Sequence, residues 1–371
     1  MKFTVNRDEL AEKLQTVLSV VSTRTTLPIL GNILLRAESD QLQISATDLD
    51  LSITCRASAK VTKDGVTTVP GRTFADMVRE LPDEDVAVAV TGNRVEIKTG
   101  RGLYRVSGMA AEEFPKLPAL STDQEIAVPG DQLKSMVRRT AYAVSVDPTR
   151  PALNGVLWQA DGDKMYMVAT DGHRLARVAI ADNRLAGHKG ELIIPPKALS
   201  LILKIMGDST DDVGVALGEK NILFHVGDTV VTTRLIEGPY PNYEQVIPQS
   251  NDKKMVVDAA TLMAGVRRVA VLSNSLTHQV KFALSNGKLE LSAANQDIGG
   301  EAKESLVCQY DGEDLEIGYN ANYVLDMLKN YDEGDVVFEL ATSVSAGIVR
   351  AATEEQGQEY LCLIMPLRLA E

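Results

Sequence analysis

Cysteine is scarce in this sequence: three residues, Cys55, Cys308 and Cys362, in a chain of 371. An odd number set so far apart excludes a disulfide framework and a zinc ribbon, and buried reduced thiols are expected. Histidine is almost as rare. None of His173, His188, His225 and His278 has a second histidine or a carboxylate cluster at ligand spacing, so no metal and no cofactor is expected. The Walker phosphate loop, Gly-x-Gly-x-x-Gly, the nucleophile elbow and His-Glu-x-x-His are all missing. No run of 18 apolar residues occurs, which excludes a membrane-spanning helix, and no signal-peptide pattern precedes the first apolar triplet. The expected location is the cytoplasm. Aromatic residues make up only 5%, although a hydrophobic content of 44% suffices for ordinary cores. Basic residues are outnumbered 38 to 51, a net charge of −13 that counts against a uniformly basic nucleic-acid binder. The deficit is uneven. Residues 1–124 and 125–250 each carry a net −2, and residues 251–371 carry −9, so local patches decide more than the total.

What the chain does have is a threefold repetition. An apolar triplet is followed by a leucine that opens an amphipathic stretch: Phe3-Thr4-Val5 with Leu10, Ile126-Ala127-Val128 with Leu133, and Met255-Val256-Val257 with Leu262. The leucines lie 123 and 129 residues apart, a period the size of a whole domain and much longer than a solenoid repeat of roughly 20–50 residues. A second signal recurs with it. Val69-Pro70-Gly71-Arg72, Ile194-Pro195-Pro196-Lys197 and Gly318-Tyr319-Asn320-Ala321 occupy matching places. Alternating runs such as Gln41–Ser45 and Lys288–Ser292 have the period of half-buried strands, and Asn286-Gly287 and Thr91-Gly92-Asn93 have the composition of hairpin turns. Each unit then runs strand, helix, several strands, strand, helix, several strands. The fold class is α+β with antiparallel sheets, in three domains spanning 1–120, 125–248 and 250–371. The connectors Phe114-Pro115-Lys116-Leu117-Pro118 and Tyr240-Pro241 to Ile247-Pro248 favour extended backbone.

The first helix of each unit has an apolar stripe: Leu10, Leu14, Val17, Leu18, Val21; then Leu133, Val137, Ala141, Val144; then Leu262, Val266, Val269, Ala270. The spacing points Arg138-Arg139 and Arg267-Arg268 away from the core. In the second helix Arg72 and Arg79, and at the same repeat positions Lys197 and Lys204, are seven apart and stack on one face about 10 Å from each other. One such face is ordinary solvated surface. Its recurrence in an acidic protein predicts a common surface that holds phosphates without reading sequence.

The most enzyme-like string is Ala169-Thr170-Asp171-Gly172-His173-Arg174-Leu175. Asp171 and His173 could form an acid/base or metal pair, the basis of a hydrolase alternative. Against it, Ala46-Thr47-Asp48 stands at the same repeat position, so Thr-Asp reads as a structural turn and only Gly-His-Arg-Leu is peculiar to the second unit. The string Leu361–Leu369 is the other unusual one. A core strand is expected as far as Ile364. Pro366 should stop it, leaving Leu367 and Leu369 free to line a partner groove.

These strings together carry a resemblance. Met1-Lys2-Phe3-Thr4-Val5, Thr26-Leu27-Pro28-Ile29-Leu30-Gly31-Asn32, Val168 to Leu175 and Met365-Pro366-Leu367-Arg368-Leu369, in this order on a triple repeat, make the whole chain similar to the bacterial sliding clamps, the DNA polymerase III β subunits. The resemblance implies three tandem clamp domains forming half of a ring, each with two helices packed on antiparallel sheets. It implies a head-to-tail homodimer around duplex DNA that tethers polymerase and catalyses nothing. DNA-facing positions would be Arg24, Arg72, Arg79, Lys197 and Lys204, with Arg150 the suited residue of the loop Asp147 to Ala152. A partner groove would use Leu153, Thr170, Gly172, His173, Arg174, Leu175, Pro241, Val246, Met365, Pro366, Leu367, Arg368 and Leu369. Its occupants would be the DNA polymerase III α subunit, the clamp-loader δ subunit and other clamp-motif proteins of replication and repair. Tyr104 and Val106 would meet Val271 and Leu272 across the ring interface. Gln245, Leu367 and the extension Ala370-Glu371 depart from the family pattern. The alternative from another class is a peptide-binding scaffold that does not encircle DNA.

Overall fold

The computed structural model describes residues 1–22, 25–82, 84–118, 125–161, 163–181, 191–331, 334–353 and 357–369. The first repeat holds β1 (Lys2–Asn6), α1 (Arg7–Val17), β2 (Asn32–Glu38), β3 (Gln41–Thr47), β4 (Leu51–Lys63) and β5 (Gly65–Pro70). It continues with α2 (Gly71–Arg79), β6 (Asp85–Thr91), β7 (Arg94–Lys98) and β8 (Leu103–Ser107). The second repeat opens with β9 (Ile126–Val128), α3 (Gly130–Thr140), β10 (Val156–Asp161), β11 (Lys164–Thr170), β12 (Arg174–Ala181) and β13 (Leu192–Ile194). It closes with α4 (Pro196–Met206), β14 (Val213–Leu217), β15 (Asn221–Val226) and β16 (Thr229–Arg234). The third has β17 (Lys253–Asp258), α5 (Ala259–Ala270), β18 (Gln279–Ser285), β19 (Lys288–Asn295), β20 (Gly300–Val307) and β21 (Leu315–Asn320). It ends with α6 (Ala321–Leu328), β22 (Asp335–Leu340), β23 (Gly347–Ala351) and β24 (Gln358–Ile364). Among the described residues each repeat thus has the same order of eight strands and two helices, and the fold is α+β.

Local chemistry accounts for these boundaries. The Asn6 side chain caps α1 by accepting from the amides of Asp8 and Glu9, and Asp258 caps α5 from Thr261 at 2.7 Å. Pro70 and Pro195 lead into α2 and α4, and Asn320 caps α6. The turns Gly92-Asn93 and Asn286-Gly287 join β6 to β7 and β18 to β19, with Gly92 and Gly287 at positive φ. Helix α1 buries Leu10, Leu14 and Val17 against α2 and β4, and α5 buries Leu262, Val266 and Val269 against α6, β19 and β20. Each such leucine contributes about 2 kcal/mol by leaving water. The helices stop earlier than the apolar stripes suggest. Leu18 is the C-cap of α1, and Ala141 and Val144 lie beyond α3, although Val21 is still buried. Arg139 does not face solvent as its spacing predicts. It is half-buried with its guanidinium 5.3 Å from the Tyr360 ring, because β24 brings that ring under the end of α3.

The chain forms two compact units that cut across the repeats. Unit one is residues 1–131 and 197–235. Its sheet follows the order β8-β7-β6-β1-β4-β16-β15-β14-β9, with β2, β3 and β5 branching from it. Unit two is residues 132–196 and 236–371. It has one sheet in the order β13-β10-β11-β12-β24-β23-β22-β17 and a second in the order β20-β19-β18-β21. All named pairs are antiparallel. Two junctions between repeats are built alike. In unit one β4 pairs with β16, and in unit two β12, the counterpart of β4, pairs with β24, the counterpart of β16.

Candidate functional site

The Gly-His-Arg-Leu string lies at the turn between β11 and β12. Thr170 Oγ1 donates to the Arg174 carbonyl (2.6 Å) and accepts from the Gly172 amide (3.1 Å). Asp171 Oδ1 accepts from the amides of His173 (2.8 Å) and Arg174 (3.0 Å). Gly172 sits at φ +91°, where a residue without Cβ is least strained. The first repeat makes the same turn. Thr47 Oγ1 donates to the Leu51 carbonyl, and Asp48 Oδ1 accepts from the amides of Asp50 and Leu51. The Thr-Asp pair is therefore a turn device, and the Asp171 carboxylate is committed to it.

Arg174 is fixed on several sides. Its Nε donates to Asp171 Oδ2 (3.1 Å), Nη1 to Asp326 Oδ2 (3.0 Å) and Nη2 to the Tyr142 carbonyl (2.8 Å). Its guanidinium lies 4.4 Å from the centre of the Tyr323 ring and 5.4 Å from that of Tyr142. Asp326 also accepts from Lys329 Nζ at 2.9 Å. Burial pushes the Asp326 carboxyl up, but the hydrogen bonds from Lys329 and Arg174 outweigh it and hold the group below the usual carboxylate range.

Beside this turn is an apolar floor made of Leu153, Leu157, Val168, Leu175, Tyr240 and Leu363. Tyr240 joins floor to turn, its hydroxyl accepting from the Thr170 amide at 3.1 Å, and burial raises that phenol. Val246 (58% exposed), Met365 (40%) and Pro241 stay open to solvent at the edge. The Met365 amide donates to the His173 carbonyl at 2.8 Å, carrying the pairing of β12 with β24 one step past its end. Beyond Pro366 the tail does not hang free. The Leu367 amide donates to the Gly318 carbonyl (2.8 Å), and Gln279 Nε2 donates to the Arg368 carbonyl (3.0 Å), so Leu367 to Leu369 lie along β21. A buried apolar floor beside exposed apolar groups and a rigid polar turn can seat an apolar peptide.

The predicted cations are exposed. Arg72 and Arg79 on α2, and Lys197 and Lys204 on α4, all face solvent within unit one. Arg79 pairs with Asp76 and Glu80, and Lys197 with Asp48, whereas Arg72 and Lys204 have no ion pair among the described residues. Arg150 in unit two is exposed and pairs with Asp147 at 3.0 Å. The pairs of Arg79 and Arg150 are exposed on both sides and worth little, whereas the Asp48 carboxylate that meets Lys197 is mostly buried. Arg24, Ala370 and Glu371 lie outside the described residues. No group of three His, Cys, Asp or Glu side chains able to hold a metal occurs among the described residues. All three cysteines are buried and free, and burial pushes the Cys55 thiol up to about 11.

Three family domains match in sequence order. The DNA polymerase III beta subunit N-terminal domain covers residues 1–118, its central domain 127–242 and its C-terminal domain 244–368. The chain belongs to the DNA polymerase III β-subunit family. It is 34% identical to the beta sliding clamp of Escherichia coli K12, with all of both chains covered. Among solved structures it is similar to the sliding clamp of Bartonella birtlesii bound to griselimycin (TM-score 0.94, 33% identity) and to that of Bacillus subtilis (TM-score 0.94, 29% identity). Both chains are again fully covered.

Within this β-subunit fold the four residues expected at a ring interface lie on or beside open strand edges. β8, with Tyr104 (39% exposed) and Val106, ends one sheet, and β20 ends another. Val271 (77% exposed) and Leu272 follow α5, and Leu272 packs against Gly300 at the start of β20. Three residues that hold the turn between β11 and β12 were missed by sequence reasoning. Tyr142, Tyr323 and Asp326 position Arg174. Tyr323 and Asp326 lie three residues apart on one face of α6, the helix that the repeated string from Gly318 introduces.

Proposed function

We propose that this chain is the protomer of a homodimeric processivity clamp that encircles duplex DNA, slides on it without reading sequence and carries out no reaction of its own. The observation that carries this is the repeated junction. β4 pairs with β16 and β12 with β24, but β20, the next in that series, has a free edge, and so does β8, the counterpart of β16 and β24. A second copy arranged head to tail supplies β8 to β20 and β20 to β8, which closes the ring and covers two exposed edges on each protomer. Tyr104, Val106, Val271 and Leu272 then form its apolar contacts. Arg24, Arg72, Arg79, Arg150, Lys197 and Lys204 hold phosphates, and the acidic third domain avoids them. The repeats act as domains 1–120, 125–248 and 250–371. The groove from Leu153 to Leu369 receives apolar motifs of the polymerase III α subunit, the clamp-loader δ subunit and repair proteins in the cytoplasm. A peptide scaffold alone would leave the matched edges of β8 and β20 and the basic helix faces without a use.

Topology tests this. After loading on nicked circular DNA the protein should remain bound for many minutes and leave within seconds once the circle is cut. Equal retention on both forms would overturn the ring.

A further inference from the structure

Eleven methionines and three cysteines carry the sulfur of this chain. All three thiols are buried. Met77, Met109 and Met263 are half-buried, Met365 is 40% exposed, and the other methionines are buried. Met365 is therefore the one exposed sulfur-bearing residue among the described residues. Strand β24 turns Leu361 and Leu363 into the apolar floor, and its alternation carries Met365 to the same side. The bond from the Met365 amide to the His173 carbonyl fixes the backbone there, at the mouth of the groove. The junction of β4 with β16 makes the same bond with a different side chain. Leu51 faces Thr233 as Arg174 faces Ile364, so Asp50 and Arg234 stand for His173 and Met365. The Arg234 amide donates to the Asp50 carbonyl at 2.9 Å, and Arg234 is exposed. The backbone bond thus needs no methionine, and the position accepts a polar side chain.

We propose, resting on the peptide groove described above, that Met365 is a modification site at which oxidation to the sulfoxide turns apolar partners away. Its sulfur lone pair attacks one oxygen of hydrogen peroxide. The O–O bond breaks as the S–O bond forms, and the proton of the attacked oxygen moves to the other, which leaves as water. Sulfur loses two electrons and the peroxide gains them. The product carries a polar S–O group where the side chain was apolar. A peptide lying over the floor would bury that oxygen against leucine and phenylalanine side chains that donate no hydrogen bond, which is unfavourable. In the free protein the oxygen is hydrated at this exposed position, so the fold keeps its stability. Exposure also gives a sulfoxide reductase access to the site, which makes the change reversible.

The test treats the full chain with hydrogen peroxide and maps the oxidised residues by mass spectrometry. Binding of the fluorescein-labelled peptide Gly-Gln-Leu-Ser-Leu-Phe-amide is read by anisotropy before and after. Met365 should oxidise roughly tenfold faster than any other methionine. The peptide should then bind roughly fivefold more weakly with the melting temperature unchanged, and methionine sulfoxide reductases should restore the affinity. Met365→Leu, whatever its starting affinity, should bind equally before and after peroxide. Met365→Gln, polar and of similar length, should bind as weakly as the oxidised parent with no oxidant present. Faster oxidation elsewhere, unchanged affinity once Met365 is oxidised, an equal loss in Met365→Leu or parent-like affinity in Met365→Gln would overturn the proposal and leave the groove standing. No binding by the untreated parent would overturn the groove, and the proposal with it.

Discussion

Asp326 receives Arg174 from the turn between β11 and β12 and Lys329 from its own helix, so one carboxylate ties α6 to the Gly-His-Arg-Leu loop. Its folded pKa lies below its ordinary value of about 4. The stability it contributes is therefore complete above about pH 4 and is lost as pH falls through the folded pKa. Asp326→Asn should cost about 1 kcal/mol at pH 7, the size of a charge-assisted bond discounted for a carboxylate that is a third exposed. Urea denaturation at pH 7 and pH 3 checks this, because the gap between parent and variant should close at the lower pH. The change should also weaken groove peptides, since Arg174 loses one of the groups that orient it. Nothing in local sequence marks Asp326, whose partner is 152 residues away.

At the scale of elements, the helices and their order were legible because the apolar period, the capping residues and the prolines repeat at a fixed spacing. The Thr-Asp turn was legible for the same reason. The helix ends were less so, since apolar residues such as Val21 remain in the core after the helix stops. The course of the tail was not legible. Pro366 ends β24 as expected, yet Leu367 bridges to Gly318, a pairing that depends on a backbone close enough to need glycine. A Cβ at position 318 would come within 2.8 Å of the Leu367 carbonyl oxygen. Gly318→Ala should therefore lift the tail and weaken a fluorescent clamp-motif peptide at least fivefold, with global stability lowered by only about 1–2 kcal/mol. Fluorescence anisotropy gives the first quantity and thermal unfolding the second. Unchanged affinity would mean that the tail does not shape the groove.

At the scale of the whole molecule, the net charge of −13 concealed a surface with basic helix faces, which the matching seven-residue spacing of Arg72 and Arg79, and of Lys197 and Lys204, brought out. The open edges could not be read in advance, because every repeat has the same strand order and only the sheet pairings reveal which strand lacks a neighbour. Val271→Asp puts a charge beside the β20 edge. A desolvated carboxylate there should cost about 2 kcal/mol per junction, and a two-junction ring incurs it twice, which weakens the dimer roughly thousandfold. Sedimentation should then show a monomer with unchanged circular dichroism. The division of repeat two between the units also governs synthesis. The stretch of β4 that pairs with β16 leaves the ribosome long before its partner, since Cys55 is matched to Thr229. At about 5–20 residues per second that edge waits roughly 10–35 s. During that interval the nascent chain exposes a strand ready to pair with a neighbour on the same messenger, and the first repeat reaches its final form only when most of the second has been made.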